Sequence, residues 1–470
     1  MGLSVTAMAQ VNLPDLGQPE GELLSVSAER EVGEEIFQEI QSGRFGMPLN
    51  EDPEVNDYIQ TLGNRLVRFS DVPGYPIEFF VVENPTINAM AFPGGFIGVH
   101  TGLITATQTE SELASVMAHE IAHVSQRHIA RSYMRQKQAQ PLQMLALLFA
   151  VAVAGASPDA GMAAIGATMA SGAQMFLNYS RDFEREADRI GFRTIERAGF
   201  NAGDYIGMFD KMYRNARLYD TGLYPAYMRT HPMTWERMAD IDNLLKDRKG
   251  VLVKEDIGFY LVRTKLSVMR AQPKDALSEY TKQIAEKRYL KEYAGRYGLA
   301  LAYLLNKQYD NAQQEIQVLE KQNMAHPMIL ALKARILLEQ GKVDESVRLY
   351  QQGIKQYPDS FAILHDGAQT LLRANRAKEV IGLLTPKLVM DKSDSRLYAI
   401  LAQAHQRLGN QALYHASLSE FYARKGNYHD AILQMEMAQN NKGASFYEQS
   451  MQDARLREFK RRFVDKNQLK

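Results

Sequence analysis

The most restrictive feature of this chain is a period. Lys307, Gly341, Asn375 and Gly409 stand 34 residues apart at turn-like positions, and five residues after them come Ala312, Ser346, Val380 and Tyr414. Small residues recur one helix earlier at Ala302, Ala334, Ala368 and Ala402, and Pro327 and Pro358 punctuate two unit ends, the second within YPDS. A pair of short helices cannot bury its apolar face alone, so such a period commits the C-terminal half to stacked pairs forming an α-solenoid with a concave surface. At least four units are expected, the phase drifting between 410 and 427, where GNYHDA restarts after half a repeat. A plain helical bundle is the competing arrangement.

The paired helices, the small residues where they cross and the boundary prolines resemble the tetratricopeptide repeat. The solenoid is predicted over residues 250–470. The 470 residues, 45% of them hydrophobic, are enough for a second core, expected over 26–249 behind an N-terminal segment of 1–25. Lys plus Arg equals Asp plus Glu at 55 each, with no basic stripe interleaved with aromatics, so nucleic acid is a poor partner. Cysteine is absent, which removes thiol catalysis, thiolate metal sites and disulfides and leaves His and carboxylate as the strong metal ligands. The opening MGLSVTAMAQVNLPDL, with Ala7 and Ala9 before Gln10, reads as the end of a secretory signal without its basic and apolar regions. The run from Pro141 to Ala156 is shorter than the roughly 20 residues a membrane span needs. Buried helices are expected over 141–178, with peripheral contact to lipid or an apolar client as the alternative.

The 26–249 region is predicted to be mainly α. Ser27–Gln41 and Asp52–Phe69 carry apolar residues at helical spacing, and Phe176–Ala198, with Gly199 after it, reads as another helix. Tyr75–Ile104, rich in Ile, Val and Phe and broken by Asn84-Pro85 and Pro93-Gly94-Gly95, is predicted to form a small antiparallel β-sheet. From Glu110 the period turns helical to about Lys137, through the segment MAHEIAHVSQRH.

That segment holds three of the chain's ten histidines. On a helix His119 and His123 project from one face a turn apart, so both imidazoles can bind one ion, while Glu120 lies about 100 degrees round. Two ligands and a base are the division of labour of H-E-x-x-H: a bound zinc polarises a peptide carbonyl and acidifies water, and the glutamate takes the proton. The metzincin spacing would need Gly at 126 and His at 129, and Gln126 and Ile129 exclude it. His128 lies off the ligand face, a surface residue or a neighbour of the site. The best third ligand is Glu184 in SRDFEREAD. Asp188 shares its helical face, placed to accept the free ring N–H of a ligand histidine, and Arg181, Arg185 and Arg189 flank the carboxylate pair, which needs a cation if it faces inward.

MAHEIAHVSQRH, NYSRDFEREADRIG and THPMTWER together resemble the gluzincin family of HtpX-like and CAAX-prenyl-protease-like zinc metallopeptidases, over about Val32 to Asn243. The resemblance implies a zincin-like domain with one zinc ion, His119, His123 and Glu184 as ligands, Glu120 as general base and Asp188 behind a ligand. This chain has no transmembrane helices of the kind the family's membrane members carry, so it looks like a soluble branch. The repeat-bearing soluble branch implies a periplasmic enzyme that helps outer-membrane β-barrel proteins such as the lipopolysaccharide transporter LptD to assemble, degrades those that stall, and meets the barrel assembly machinery through its solenoid.

His231, with Pro232 next to it and Arg237 six residues on, matches the family by resemblance. In a loop near the metal, His231 could be a fourth ligand that displaces water and keeps the enzyme latent, could donate with Arg237 to the oxyanion, or could be an ordinary turn residue. Asn88, Ala89 and Met90 form a candidate edge for substrate addition, or simply part of a hairpin pinned by Pro93 and Gly94-Gly95. The rival to a protease is a non-proteolytic chaperone or scaffold whose zinc is latent or structural.

Overall fold

The computed structural model of the chain describes residues 25–43, 46–72, 76–135, 181–218, 227–228, 231–246, 256–390, 394–441 and 445–468. The expectations for residues 1–24 and 141–178 lie outside them.

Helices α1 (Val26–Gln41) and α2 (Pro53–Val67) start where polar caps precede an apolar period. Ser25 Oγ accepts from the Ala28 N–H, and Asp52 accepts from Glu54 and Val55 with Pro53 in the first turn. Three short strands follow, β1 (Glu78–Val82), β2 (Ala89–Phe92) and β3 (Phe96–His100), ordered β1-β3-β2. The antiparallel expectation holds for β2 and β3, with Met90 opposite Gly98, but β1 runs parallel to β3, Phe80 opposite Gly98, so the sheet is mixed. The Pro93-Gly94-Gly95 turn is the reason. Gly94 and Gly95 take φ of 73° and 88°, and a Cβ on Gly94 would lie 2.7 Å from the Cα of Arg30, so the chain reverses tightly against α1 and β3 folds into the centre. Among the described residues no strand covers the outer edge of β2.

After α3 (Thr101–Ala106) comes α4 (Glu110–Ser125), capped by Thr109, whose hydroxyl accepts from Glu112 N–H. The predicted run to Lys137 is interrupted. Arg127 takes a left-handed φ of 52°, and α5 (His128–Arg135) begins anew. Glu29, buried on α1, accepts from Arg127 Nε at 2.9 Å and holds that corner. Helices α6 (Arg181–Arg197), α7 (Gly203–Leu218) and α8 (Trp235–Leu245) follow among the described residues, Gly199 ending α6 at φ 76° as its position predicts.

The rest is helix pairs: α9 (Ile257–Arg270) with α10 (Pro273–Ala285), α11 (Glu292–Leu305) with α12 (Tyr309–Lys321), and α13 (Pro327–Glu339) with α14 (Val343–Gln356). They continue as α15 (Phe361–Arg373) with α16 (Ala377–Met390), α17 (Ser395–Arg407) with α18 (Gln411–Arg424), and α19 (Tyr428–Asn440) with α20 (Phe446–Gln468). Lys307, Gly341, Asn375 and Gly409 sit in the links between paired helices, all with positive φ, at 60°, 79°, 58° and 74°. A left-handed residue lets a three-residue link turn one helix back on the next, at about 1–2 kcal/mol where the residue has a Cβ. Ala302, Ala334, Ala368 and Ala402 are fully buried where helices cross, and Ser346 Oγ donates to the Ala334 carbonyl at 2.7 Å, a contact only small residues permit. Tyr414 is only half-buried, its place in the core taken by Ala412, which marks the phase drift ahead of α19.

The described residues form two compact units, one ending at Leu332 and the other beginning at Lys333. The first therefore includes the opening helix pairs, and α9 is fastened to the start of the histidine-bearing helix. Arg263 Nε donates to the Thr107 carbonyl at 2.8 Å, and the Asp256 N–H donates to Glu110 Oε2 at 3.0 Å. Lys265 Nζ lies 2.5 Å from both Glu54 and Asp52. No helix among the described residues is long and apolar enough to cross a membrane.

Candidate metal centre

Helices α4 and α6 pack so closely that a Cβ on Gly191 would lie 3.1 Å from the His119 backbone nitrogen and 2.9 Å from Tyr205 Oη. That approach sets two rows of polar groups against each other in a dry interior: His119, His123 and Glu120 from α4, and Glu184 and Asp188 from α6, all buried. The Nε2 atoms of His119 and His123 are 3.0 Å apart, and each lies 3.5 Å from an oxygen of Glu184. His231, from the segment before α8, places Nδ1 3.0 Å from Glu184 Oε1, and each of the four residues offers a ligand atom within 4.8 Å of the others.

The donor set fits a metal ion. Three imidazole nitrogens and a carboxylate oxygen suit a borderline-soft divalent ion. Glu120, the fifth polar side chain here, has two buried oxygens with no hydrogen-bond partner, with His231 Nε2 3.5 Å from Oε1. A carboxylate left so is costly unless it faces a cation or a water that one holds.

Behind His119, its Nδ1 meets Asp188 Oδ1 at 3.1 Å and Tyr205 Oη at 3.3 Å. The cation that the carboxylate pair requires is Arg237, not the arginines beside it in sequence. Its Nε and Nη2 donate to the two oxygens of Asp188 at 2.7 and 2.8 Å, and Nη1 reaches Glu184 Oε2 at 2.6 Å and the Pro232 carbonyl at 2.8 Å. Arg181 and Arg189 are exposed, and Arg185 pairs with Glu236 and Asp240. Arg237 is thus turned to the carboxylates, where the sequence offered it as an oxyanion donor.

Burial alone would raise the Glu184 and Asp188 carboxyls, but their neighbours, His231 and Arg237 at Glu184 and Arg237 at Asp188, hold both below the usual range. Burial lowers His119 too, yet its hydrogen bonds to Asp188 and Glu184 prevail and raise it to about 9. His123, buried beside other imidazoles, is driven well below the ordinary value. The pocket thus carries carboxylate charge that a divalent ion would offset.

His128 is not a surface residue. It is fully buried, its ring stacked on Phe183 at 4.4 Å, because the left-handed turn at Arg127 folds it back toward His123. Sequence spacing assumed an unbroken helix and could not place it. Tyr205 carried no sequence signal.

Tyr227 stacks on the His231 ring at 4.5 Å, and its N–H donates to the Ile87 carbonyl at 3.4 Å, tying this segment to the start of β2. At β2, Asn88 and Ala89 are buried and Met90 half-buried. The His100 N–H donates to the Asn88 carbonyl, so by the period of two the backbone groups of Ala89 and Ala91 point to the open edge. Trp235, the only tryptophan of the chain, opens α8 four residues beyond His231 and is 70% exposed.

The profile of peptidase family M48 matches residues 53–245, the region that carries all of these groups. The chain is 31% identical to the β-barrel assembly-enhancing protease of Escherichia coli K12, covering 96% of this chain and 92% of that protein. It is 30% identical to its namesake in Yersinia pestis over the same shares. The mitochondrial metalloendopeptidase OMA1 of Bos taurus is 30% identical over 37% of this chain and 34% of its own length. The chain belongs to the β-barrel assembly-enhancing protease family and is a metallopeptidase whose catalytic domain is of family M48.

Proposed function

We propose that this chain is a periplasmic zinc-dependent endopeptidase in which His119, His123 and Glu184 hold one zinc ion and Glu120 is the general base. The observation that carries the reading is the convergence of three ligand atoms in a buried pocket beside a glutamate whose oxygens have no hydrogen-bond partner. A zinc ion bound there would polarise the scissile carbonyl and acidify water. Glu120 takes the proton from the attacking water and passes it to the leaving amine, a role that needs a carboxylate aimed at the reacting atoms and not spent on other contacts. Asp188 accepts the Nδ1–H of His119 and so leaves Nε2 as the lone-pair donor, while Arg237 neutralises the carboxylates that would otherwise repel each other. The open edge of β2 at Asn88, Ala89 and Met90 aligns an extended substrate by backbone pairing, with Ala89 supplying the outward groups.

The family points to the clients. We infer that they are outer-membrane β-barrel proteins that are unfolded or stalled, LptD-type among them, whose long apolar-polar strands suit edge pairing, and that the helix pairs recruit the barrel assembly machinery. The test is metal analysis together with digestion of an unfolded protein by wild type and Glu120→Gln. The variant should keep its zinc and lose cleavage; cleavage that persists removes Glu120 as the base. If cleavage stops but client assembly proceeds unchanged, the chaperone or scaffold reading replaces the protease.

His231 supports a resting form of the same enzyme. Its ligand atom belongs to the converging group, and its segment is tied to Ile87 just ahead of the substrate edge. As a fourth ligand it would keep water from the metal, and the tie would hold its segment beside the edge.

A further inference from the structure

The two α4 imidazoles are backed differently. His119 leans on Asp188 directly, whereas the ring nitrogen of His123 that faces away from the pocket meets another imidazole: His123 Nδ1 lies 2.9 Å from His128 Nδ1. Both rings are fully buried. On the far side, His128 Nε2 lies 3.2 Å from Glu186 Oε2, and Arg131 Nη1 donates to the same oxygen at 2.9 Å. Phe183 holds the arrangement flat, with the His128 ring on its face at 4.4 Å and 12° and the Arg131 guanidinium 4.6 Å from its centroid.

The proton positions follow from the chemistry. If His123 gives its Nε2 lone pair to a metal, a neutral ring carries its hydrogen on Nδ1. Two Nδ1 atoms 2.9 Å apart allow one donor and one acceptor, so His128 must accept there and carry its own hydrogen on Nε2. That hydrogen points to Glu186, a half-exposed carboxylate anchored by Arg131. Every donor in the row then has an acceptor, and the row has one consistent direction.

We propose that His128 is a positioning residue for metal binding, relaying the carboxylate of Glu186 to His123 through an interposed imidazole, and that Glu186 is the distant counterpart of Asp188. This rests on the reading of His123 as a ligand. One helix, α6, would then serve the centre three times, with Glu184 at the metal, Asp188 behind His119 and Glu186 behind His123 by way of α5. The left-handed turn at Arg127 gains a purpose as well, since it aims His128 at His123.

The experiment measures zinc affinity by chelator competition and the visible spectrum of the cobalt-substituted protein, neither of which depends on hydrolysis. His128→Phe keeps the stack on Phe183 and removes the acceptor; His128→Asn keeps an acceptor near the Nδ1 position. The Phe variant should bind zinc about 10–100-fold more weakly and shift the cobalt bands, and the Asn variant should recover most of both. Zinc affinity within about threefold of wild type and an unchanged spectrum in a folded Phe variant would overturn the proposal, as would a loss that Asn does not restore, which would mark His128 as packing only. If the Phe variant does not fold, the half-exposed Glu186→Leu decides: a several-fold loss supports the relay and none refutes it. Wild type that fails to bind zinc, or His123→Ala that binds it undiminished, would instead sink the metal-site reading and the relay with it.

Discussion

At the scale of single residues, the centre brings together His119, His123, Glu184 and His231, with further polar groups packed behind them. His119, His123, Glu184 and Asp188 were legible in the sequence because two pairs spaced four apart on helices must each share a face. Arg237 turns to Asp188 and Glu184, and His128 to His123 and Glu186; both meet partners distant in the chain, whereas helical spacing speaks only of residues on one uninterrupted helix. His231 is the residue whose removal is most informative. His231→Ala should retain zinc and raise the rate at which an unfolded protein is digested, because the fourth ligand atom and the Tyr227–Ile87 tie both oppose access. A fall in rate, measured at equal zinc content, would instead assign His231 to the oxyanion.

At the scale of elements, function depends on the fit of α4 to α6. Tyr205 Oη and the backbone at Ala118 and His119 leave no room for a side chain at Gly191. Gly191→Ala should destabilise the protein by about 1–3 kcal/mol, as overpacking does, and should weaken zinc binding by moving Glu184 away from the histidines. Thermal melting followed with and without zinc tests both effects, and an unchanged melting temperature would show that α6 shifts freely. The repeat was the most legible element of all, since its 34-residue spacing named four links that do carry left-handed residues. The strands were harder. The Ile, Val and Phe content of Tyr75–Ile104 and its two breaks marked a small sheet, but the parallel pairing of β1 with β3 follows from how the hairpin packs on α1, which no local pattern records. The helix from Glu110 likewise read as continuous because Arg127 has no intrinsic preference for a left-handed turn, and the ion pair with the buried Glu29 helps to hold it there.

At the scale of the whole molecule, the first helix of the paired region is part of the catalytic core's support. Lys265 on α9 meets the buried Glu54 and the capping Asp52 of α2, and Asp256 and Arg263 grip the segment that starts α4. Lys265→Met should cost about 3–5 kcal/mol, because it leaves a carboxylate buried without its cation, and Glu54→Leu added to it should recover part of the loss. Denaturant titration of the full chain measures both, and a neutral single variant would show that the lysine merely caps an exposed edge. The composition of the chain also supplies an optical consequence. With one tryptophan in 470 residues, standing exposed at the head of α8, all indole fluorescence originates four residues from His231 and two from Arg237. The unlabelled protein therefore carries its own reporter: the colour and quenching of that emission can follow the start of α8 as metal or client arrives.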